Sequence, residues 1–263
     1  MTDISSHTSD ILGVVREAGA RIEAVRRTGI AVDTKADDSP VTRADREADT
    51  LLREALPRIL PAGWLSEETK DDEARLDERR VWIVDPLDGT KEFVAGVPEY
   101  AVAVALVEKG EPILGMIHNP VTGDEFWAVR GEGAYRNGSA IRVGESDVML
   151  ASRSEVKRGE FEPFTDWTVR ATGSIAYKLA LIAAGEGGAT ISRGPKHEWD
   201  VCAGTILVAE AGGRVADAFG GPLRFNQAFP KVRGILAGAP AAYERCLALV
   251  REIGASDRMQ ELA

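Results

Sequence analysis

The sequence predicts an α/β protein, with an α+β N-terminal part followed by an α/β C-terminal part. Three observations carry this. The first sixty residues hold two long apolar stripes at helical spacing. The middle of the chain is a series of short apolar runs punctuated by turn residues. The last third alternates helix-like and strand-like runs. No internal repeat or Pro/Gly/Ser linker breaks the chain. Its 263 residues suit one compact unit of two subdomains, 1–143 (α+β) and 144–263 (α/β).

In the first helix, Ile11, Val14, Val15, Ala18, Ile22 and Val25 share one face, and Gly29 is a stop signal. After a polar loop, KADDSP, a second helix begins near Thr42, where Thr42-x-x-Asp45 has the form of a capping box. Ala48, Leu51, Leu52, Ala55, Leu56, Ile59 and Leu60 form its apolar face, and Pro57 is expected to kink or end it. Strands are predicted at 81–84, 101–107 and 112–117, with Lys109-Gly110 turning between the last two. Asn137-Gly138 predicts a hairpin. Beyond it come a helix over 175–184, a strand over 189–192, a helix over 201–211, a strand over 232–236 and a helix over 241–253.

Composition excludes several function classes. The formal net charge is −10, so bulk charge does not attract a polyanion, and no basic patch interleaved with aromatics suggests a nucleic-acid polymer. If the partner carries phosphate, bound cations must draw it in. No run approaches the roughly 18 consecutive apolar residues of a membrane span. The opening MTDISSHTSD lacks a basic n-region and an apolar h-region, so the expectation is no signal peptide and a cytoplasmic, reduced compartment. Two cysteines build no disulfide framework, and three histidines show no zinc spacing. Cys202 reads as a small buried hydrophobe on a helix. GxxxxGK[ST] and GxSxG are absent, Gly131-Glu-Gly133 fails as a dinucleotide fingerprint, and Asp85 and Asp88 do not have the spacing of a DxD aspartyl-phosphate site.

Four acidic points remain. An apolar run ends in Asp85 and Asp88, with Pro86 and Gly89 forcing a turn. Two crowded carboxylates repel unless a cation lies between them, and hard ions such as Mg²⁺ take oxygen ligands of this kind. The Gly89 and Thr90 amides could start a short helix that faces a phosphate. The same residues also fit a solvated turn capped by Asp. Glu67-Glu68 follows a strand-like segment, or begins the charged surface run over 70–73. Asp45 fits a helix cap. Asp200, in His197-Glu-Trp-Asp200, fits either an N-cap or a metal ligand at a helix start.

Taken together, these residues resemble the inositol monophosphatase superfamily of metal-dependent, lithium-sensitive phosphatases. DPLDGT (Asp85 to Thr90) is similar to the family's DPxDGT, Trp199-Asp-Val-Cys-Ala-Gly204 to WDxxAG, Ser66-Glu-Glu68 to the family's acidic pair, and Ser39-Pro-Val-Thr-Arg-Ala-Asp45 to SPVTxAD, all in family order. The resemblance implies a layered αβαβα sandwich of the inositol monophosphatase/fructose-1,6-bisphosphatase type. It implies that Glu67, Asp85, Asp88, Asp200 and the main-chain oxygen of Leu87 hold two or three Mg²⁺ ions. It implies that Thr90 and Glu67 position the attacking water, with Asp45 behind Thr90. Substrate contacts are implied for Leu87, Asp88, Gly89, Thr90, Gly173, Ser174, Lys178 and Asp200. Most metal ligands then fall in 1–143, and Asp200 falls with the specificity residues in 144–263. Such a site suits in-line attack by a metal-activated water.

For substrate, Lys91-Glu92-Phe93, Gly96-Val-Pro-Glu-Tyr100 and Ala151-Ser-Arg-Ser154 look like the 3′(2′),5′-bisphosphate nucleotidase branch, which removes the 3′-phosphate of 3′-phosphoadenosine 5′-phosphate. Val201-Cys202 is closer to the inositol branch. An inositol-1-phosphate or histidinol-phosphate phosphatase is the alternative, and a non-catalytic metal-binding regulator the remote one. Lys178 reads either as a partner for a second phosphate or as a solvated helix lysine. A homodimer is a possible assembly.

Overall fold

The computed structural model describes residues 4–34 and 40–261, the side chains of 255–261 excepted. Lys35 to Ser39, which include most of the polar loop and the first residue of the SPVTRAD match, lie outside the described residues.

The chain begins with α1 (Thr8–Thr28) and α2 (Arg43–Ile59). Gly29 closes α1 at φ 95°, a conformation suited to glycine. Thr42 caps α2, and Asp45 reaches back to the Thr42 amide, completing the capping box. Pro57 lies in the last turn, and α2 stops two residues later at Ile59. A short antiparallel ribbon, β1 (Val32–Thr34) and β2 (Pro40–Thr42), precedes α2.

The first large sheet uses β3 (Gly63–Ser66), β4 (Arg80–Asp88), β5 (Ala101–Glu108), β6 (Glu111–Asn119), β7 (Asp124–Val129), β8 (Gly133–Arg136) and β9 (Ser139–Ile141) in chain order. β3 and β4 are parallel, and the remaining pairs are antiparallel. The hairpin between β8 and β9 places Asn137 at φ 50° and Gly138 at φ 78°, the two positive angles of a type I′ turn.

The second sheet has the order β11-β10-β12-β16-β14, from β10 (Val148–Ala151), β11 (Thr168–Ala171), β12 (Ala189–Ser192), β14 (Arg214–Ala216) and β16 (Ile235–Gly238). β13 (Lys196–His197) and β15 (Lys231–Val232) form a separate ribbon. The expected single strand over 232–236 is therefore split between β15 and β16. Gly234 turns between them at φ 71°, and a Cβ there would meet Ser192 O at 2.3 Å. Short helices α3 (Thr90–Ala95) and α4 (Arg153–Lys157) join α5 (Ile175–Ala183), α6 (Glu198–Glu210) and α7 (Pro240–Glu261).

Five layers result. α1 and α2 cover one face of the first sheet, α5 and α6 fill the space between the sheets, and α7 covers the far face of the second. β5 shows why it is apolar throughout. Val102, Val104 and Leu106 face α1 and α2, whereas Ala101, Ala103 and Ala105 face the middle helices. Small residues let α6 approach closely: a Cβ on Gly115 would lie 2.5 Å from Ile206 Cγ2 and 2.6 Å from Ala203 O. Cys202 lies in this middle layer and Cys246 on α7, both free and buried. Burial holds both thiols above their ordinary range, Cys246 at about 12. Among the described residues no helix is long and apolar enough to cross a membrane.

Candidate active site

The site forms where β3 and β4 end against the starts of α5 and α6. β4 does not stop at Val84 but continues through Pro86 to Asp88, and its register with β5 shifts between Asp85 and Asp88. Proline has no amide to donate, and this irregularity is where a strand accommodates it. Asp85 is 1% exposed, and its carboxylate accepts the Leu87 amide at 3.0 Å. The parallel register pairs Ser66 with Val84, and the Glu67 amide bonds Val84 O, so Glu67 emerges beside Asp85.

Gly89 turns the chain at φ 94° into α3, which begins at Thr90. A Cβ at Gly89 would lie 3.0 Å from Glu99 O and 3.2 Å from Tyr100 Cα, so the turn is pressed against the approach to β5. The Thr90 hydroxyl lies 3.1 Å from both Asp45 Oδ1 and Leu87 O. Asp45 is fixed from behind, since its Oδ2 accepts both the amide and the hydroxyl of Thr42 at 2.7 Å.

Two helix starts complete the site. The Ser174 hydroxyl (2.5 Å) and the Ala176 amide (2.6 Å) donate to Asp88 Oδ2. Ser174 also caps α5 by accepting the Tyr177 amide, and adopts φ 51°, a strained angle for a residue with a Cβ. α6 starts at Glu198, three residues earlier than its apolar pattern suggests. Asp200 is consequently not the N-cap: it lies in the first turn, where Oδ2 accepts the His197 amide at 2.9 Å.

A pocket of about 530 Å³ gathers Glu67, Asp85, Leu87, Asp88, Gly89, Thr90, Ser174, Lys178 and Asp200. Asp45 stands behind Thr90, outside the lining. Gly173 also lies outside it: its amide donates to Glu99 at 2.6 Å, and a Cβ there would collide with Glu92 Cγ at 2.3 Å. Lys178 is 2% exposed, which overturns the solvated reading, and its ammonium donates to Thr172 O at 3.2 Å. Lys91 and Arg153, from segments that sequence reasoning tied to substrate choice, also line the pocket, as does Lys196, to which it assigned no role. Lys196, four residues before Asp200, carries no local motif.

The electrostatics are those of crowded anions. Burial, then Glu67, Asp88 and Asp200, pushes Asp85 well above the usual carboxylate range. Burial, then Asp88 and Glu67, does the same to Asp200. Asp88 is raised by burial, against the opposing pull of Ser174, Ala176 and Lys178. Burial lowers Lys178, while Asp88 and Glu155 oppose the shift. Among the described residues, no three His, Cys, Asp or Glu side chains close into a ready coordination sphere. Four carboxylates nevertheless line one pocket beside a main-chain oxygen, a donor set that suits hard divalent cations and would relieve the repulsion.

The family model described as the inositol monophosphatase family matches residues 5–255. The chain belongs to this family. A 3′(2′),5′-bisphosphate nucleotidase, CysQ, from Aggregatibacter actinomycetemcomitans is 31% identical over 235 residues, covering 83% of this chain and 87% of that protein. A histidinol-phosphatase from Mycobacterium tuberculosis is 37% identical over 214 residues, covering 73% and 80%. An IMPase from Thermotoga maritima superposes with a TM-score of 0.81 at 28% identity, covering 95% of this chain and 99% of that one. The fold is therefore that of the inositol monophosphatases, and the chain is a phosphatase of small-molecule phosphate monoesters. The family is generally metal-dependent.

Proposed function

We propose that the chain is a Mg²⁺-dependent 3′(2′),5′-bisphosphate nucleotidase that hydrolyses 3′-phosphoadenosine 5′-phosphate to AMP and phosphate. One observation carries the choice of substrate. The three segments that resemble the nucleotidase branch meet at one corner of the pocket, where the Arg153 guanidinium bonds Glu99 and lies 3.7 Å from Glu92. Glu99 in turn takes the amide of Gly173, next to Ser174. The branch-specific residues thus support the pocket wall.

Glu67, Asp85, Asp88, Asp200 and the Leu87 carbonyl would hold two or three Mg²⁺ ions. When bound, these supply positive charge for the phosphate and lower the pKa of water. The chain's own residues do the rest. Asp45 and Leu87 O hold the proton of the Thr90 hydroxyl, which leaves a Thr90 lone pair to accept from a water. Glu67 is the second acceptor for that water, and the two orient it toward phosphorus. The Gly89 and Thr90 amides meet the phosphate oxygens. Lys178, Ser174 and the neighbouring Gly173 segment bound the leaving-group side. The reading carries with it lithium inhibition, a cytoplasmic location, and a division at 143/144 between a part holding most metal ligands and a part holding Asp200.

The test is phosphate release from 3′-phosphoadenosine 5′-phosphate, inositol 1-phosphate and histidinol phosphate, with Mg²⁺ and with EDTA. The expected result is a kcat/KM for the nucleotide about a hundredfold above the others, abolished by EDTA. Equal or reversed preference would move the substrate to the other two branches, and activity in EDTA would remove the metal.

A further inference from the structure

Glu155, on α4, is 3% exposed, yet only one of its carboxylate oxygens is used. Oε1 accepts the Ser192 hydroxyl and the Lys196 ammonium, the latter at 3.3 Å, whereas Oε2 is buried without a hydrogen-bond partner. A buried carboxylate oxygen without a donor is costly and calls for an explanation. Lys196 does not reach Oε2, but among the described residues it is the cation hydrogen-bonded to this carboxylate. It lies on β13, which runs directly into α6 and Asp200, and its side chain lines the pocket with Asp200, Arg153 and Lys178. Among the described residues, Glu155 is its one hydrogen-bond partner, so two of its three N–H donors are available.

The charges around the pocket are shared as follows. Arg153 is matched by Glu92 and Glu99. Glu67, Asp85, Asp88 and Asp200 belong to the cations of the proposed reaction. Glu155 faces two ammonium groups, Lys178 and Lys196, of which Lys178 faces Asp88 more strongly and Lys196 is hydrogen-bonded to Glu155. Lys196, bonded to Glu155 through one contact, keeps donors that can face a ligand in the pocket.

We propose that Lys196, held in place by Glu155, anchors a second anionic group of the substrate, so that the site selects phosphate monoesters bearing another phosphate. Lys196 is the specificity determinant and Glu155 a positioning residue acting through it. The inference rests on the phosphomonoesterase reading of this pocket and not on the nucleoside.

Two matched pairs test it: 3′-phosphoadenosine 5′-phosphate against 3′-AMP, and inositol 1,4-bisphosphate against inositol 1-phosphate. For Lys196→Met, kcat/KM on the preferred bisphosphate should fall ~10–100-fold further than on its monophosphate, the loss of a charge-assisted contact, and should appear in KM. Lys196→Arg should recover most of it, and Glu155→Gln should give a smaller loss of the same kind. Equal losses on both members of a pair, or no loss, overturn the anchor. Melting curves establish folding, and Lys196→Gln repeats the comparison if the Met variant does not fold. If the wild type prefers the inositol pair, the nucleotide reading fails and that pair alone decides on Lys196. If the wild type favours neither bisphosphate over its monophosphate, the anchor is overturned while the phosphatase stands.

Discussion

Thr90 Oγ1 and Asp45 Oδ1 stand 3.1 Å apart, joining the start of α3 to the first turn of α2. Asp45 is therefore more than a helix cap: one oxygen closes the capping box and the other holds the Thr90 hydroxyl. Thr90→Ala should lower kcat by roughly two to three orders of magnitude while Mg²⁺ still raises the melting temperature. Asp45→Asn should lower kcat less. An unchanged kcat in Thr90→Ala removes the water-orienting role.

Asp85→Asn should separate activity from stability. It removes a charge from a buried group repelled by Glu67, Asp88 and Asp200, and the Asn oxygen can still accept the Leu87 amide. Turnover should be nearly abolished, while the metal-free protein melts ~2–6 °C higher than wild type. Near-normal activity at saturating Mg²⁺ would refute the ligand assignment. A lower metal-free melting temperature would refute the repulsion.

The pH dependence of metal stabilisation has a definite sign. Asp85 and Asp200 are raised above the ordinary carboxylate range in the metal-free protein. A raised carboxyl contributes stability that is complete below its unfolded pKa and lost as pH climbs through its folded pKa. The metal-free fold is thus penalised at neutral and alkaline pH, where a divalent cation relieves the repulsion. The rise in melting temperature on adding Mg²⁺ should be larger at pH 8 than at pH 5, as thermal melts with and without EDTA would show. A gain that is flat or larger at pH 5 would count against the paired-carboxylate site.

Gly115→Ala tests the packing beneath the site. Its Cβ would lie 2.5 Å from Ile206 Cγ2 and 2.6 Å from Ala203 O, inside the helix that bears Asp200. Overpacking there should cost about 1–3 kcal/mol and reduce activity by displacing α6. Denaturant melts and kcat measure the two effects, and an unperturbed variant would show that α6 is free to move.

Local signals were legible where local chemistry decides the structure. The capping box at Thr42, the glycine stop at Gly29 and the Asn137-Gly138 hairpin follow from preferences acting over a few residues. Features that depend on distant partners were not. β4 passes through Pro86 because β5 shifts register beside it. Asp200 lies inside α6 rather than capping it, because apolar spacing does not mark a first turn containing Glu198, a buried carboxylate satisfied by the Asn226 and Gln227 amides. Lys178 looks like a surface lysine on its helix, but the layer between two sheets buries it. The acidic members of the pocket occur in recognisable motifs, whereas Lys196 reaches it from a chain segment with no compositional signature.

The two thiols divide the molecule in a way that makes its opening observable. Cys202 is sealed between the sheets, in the helix that bears Asp200, and Cys246 is sealed on the inner face of the outermost helix, against the second sheet. Neither thiol can meet a labelling reagent until its own layer has separated. The order in which they become reactive is consequently a chronology of disassembly. If the outer helix lifts first, Cys246 labels while catalysis persists; once Cys202 labels, the floor beneath Asp200 has gone and catalysis with it.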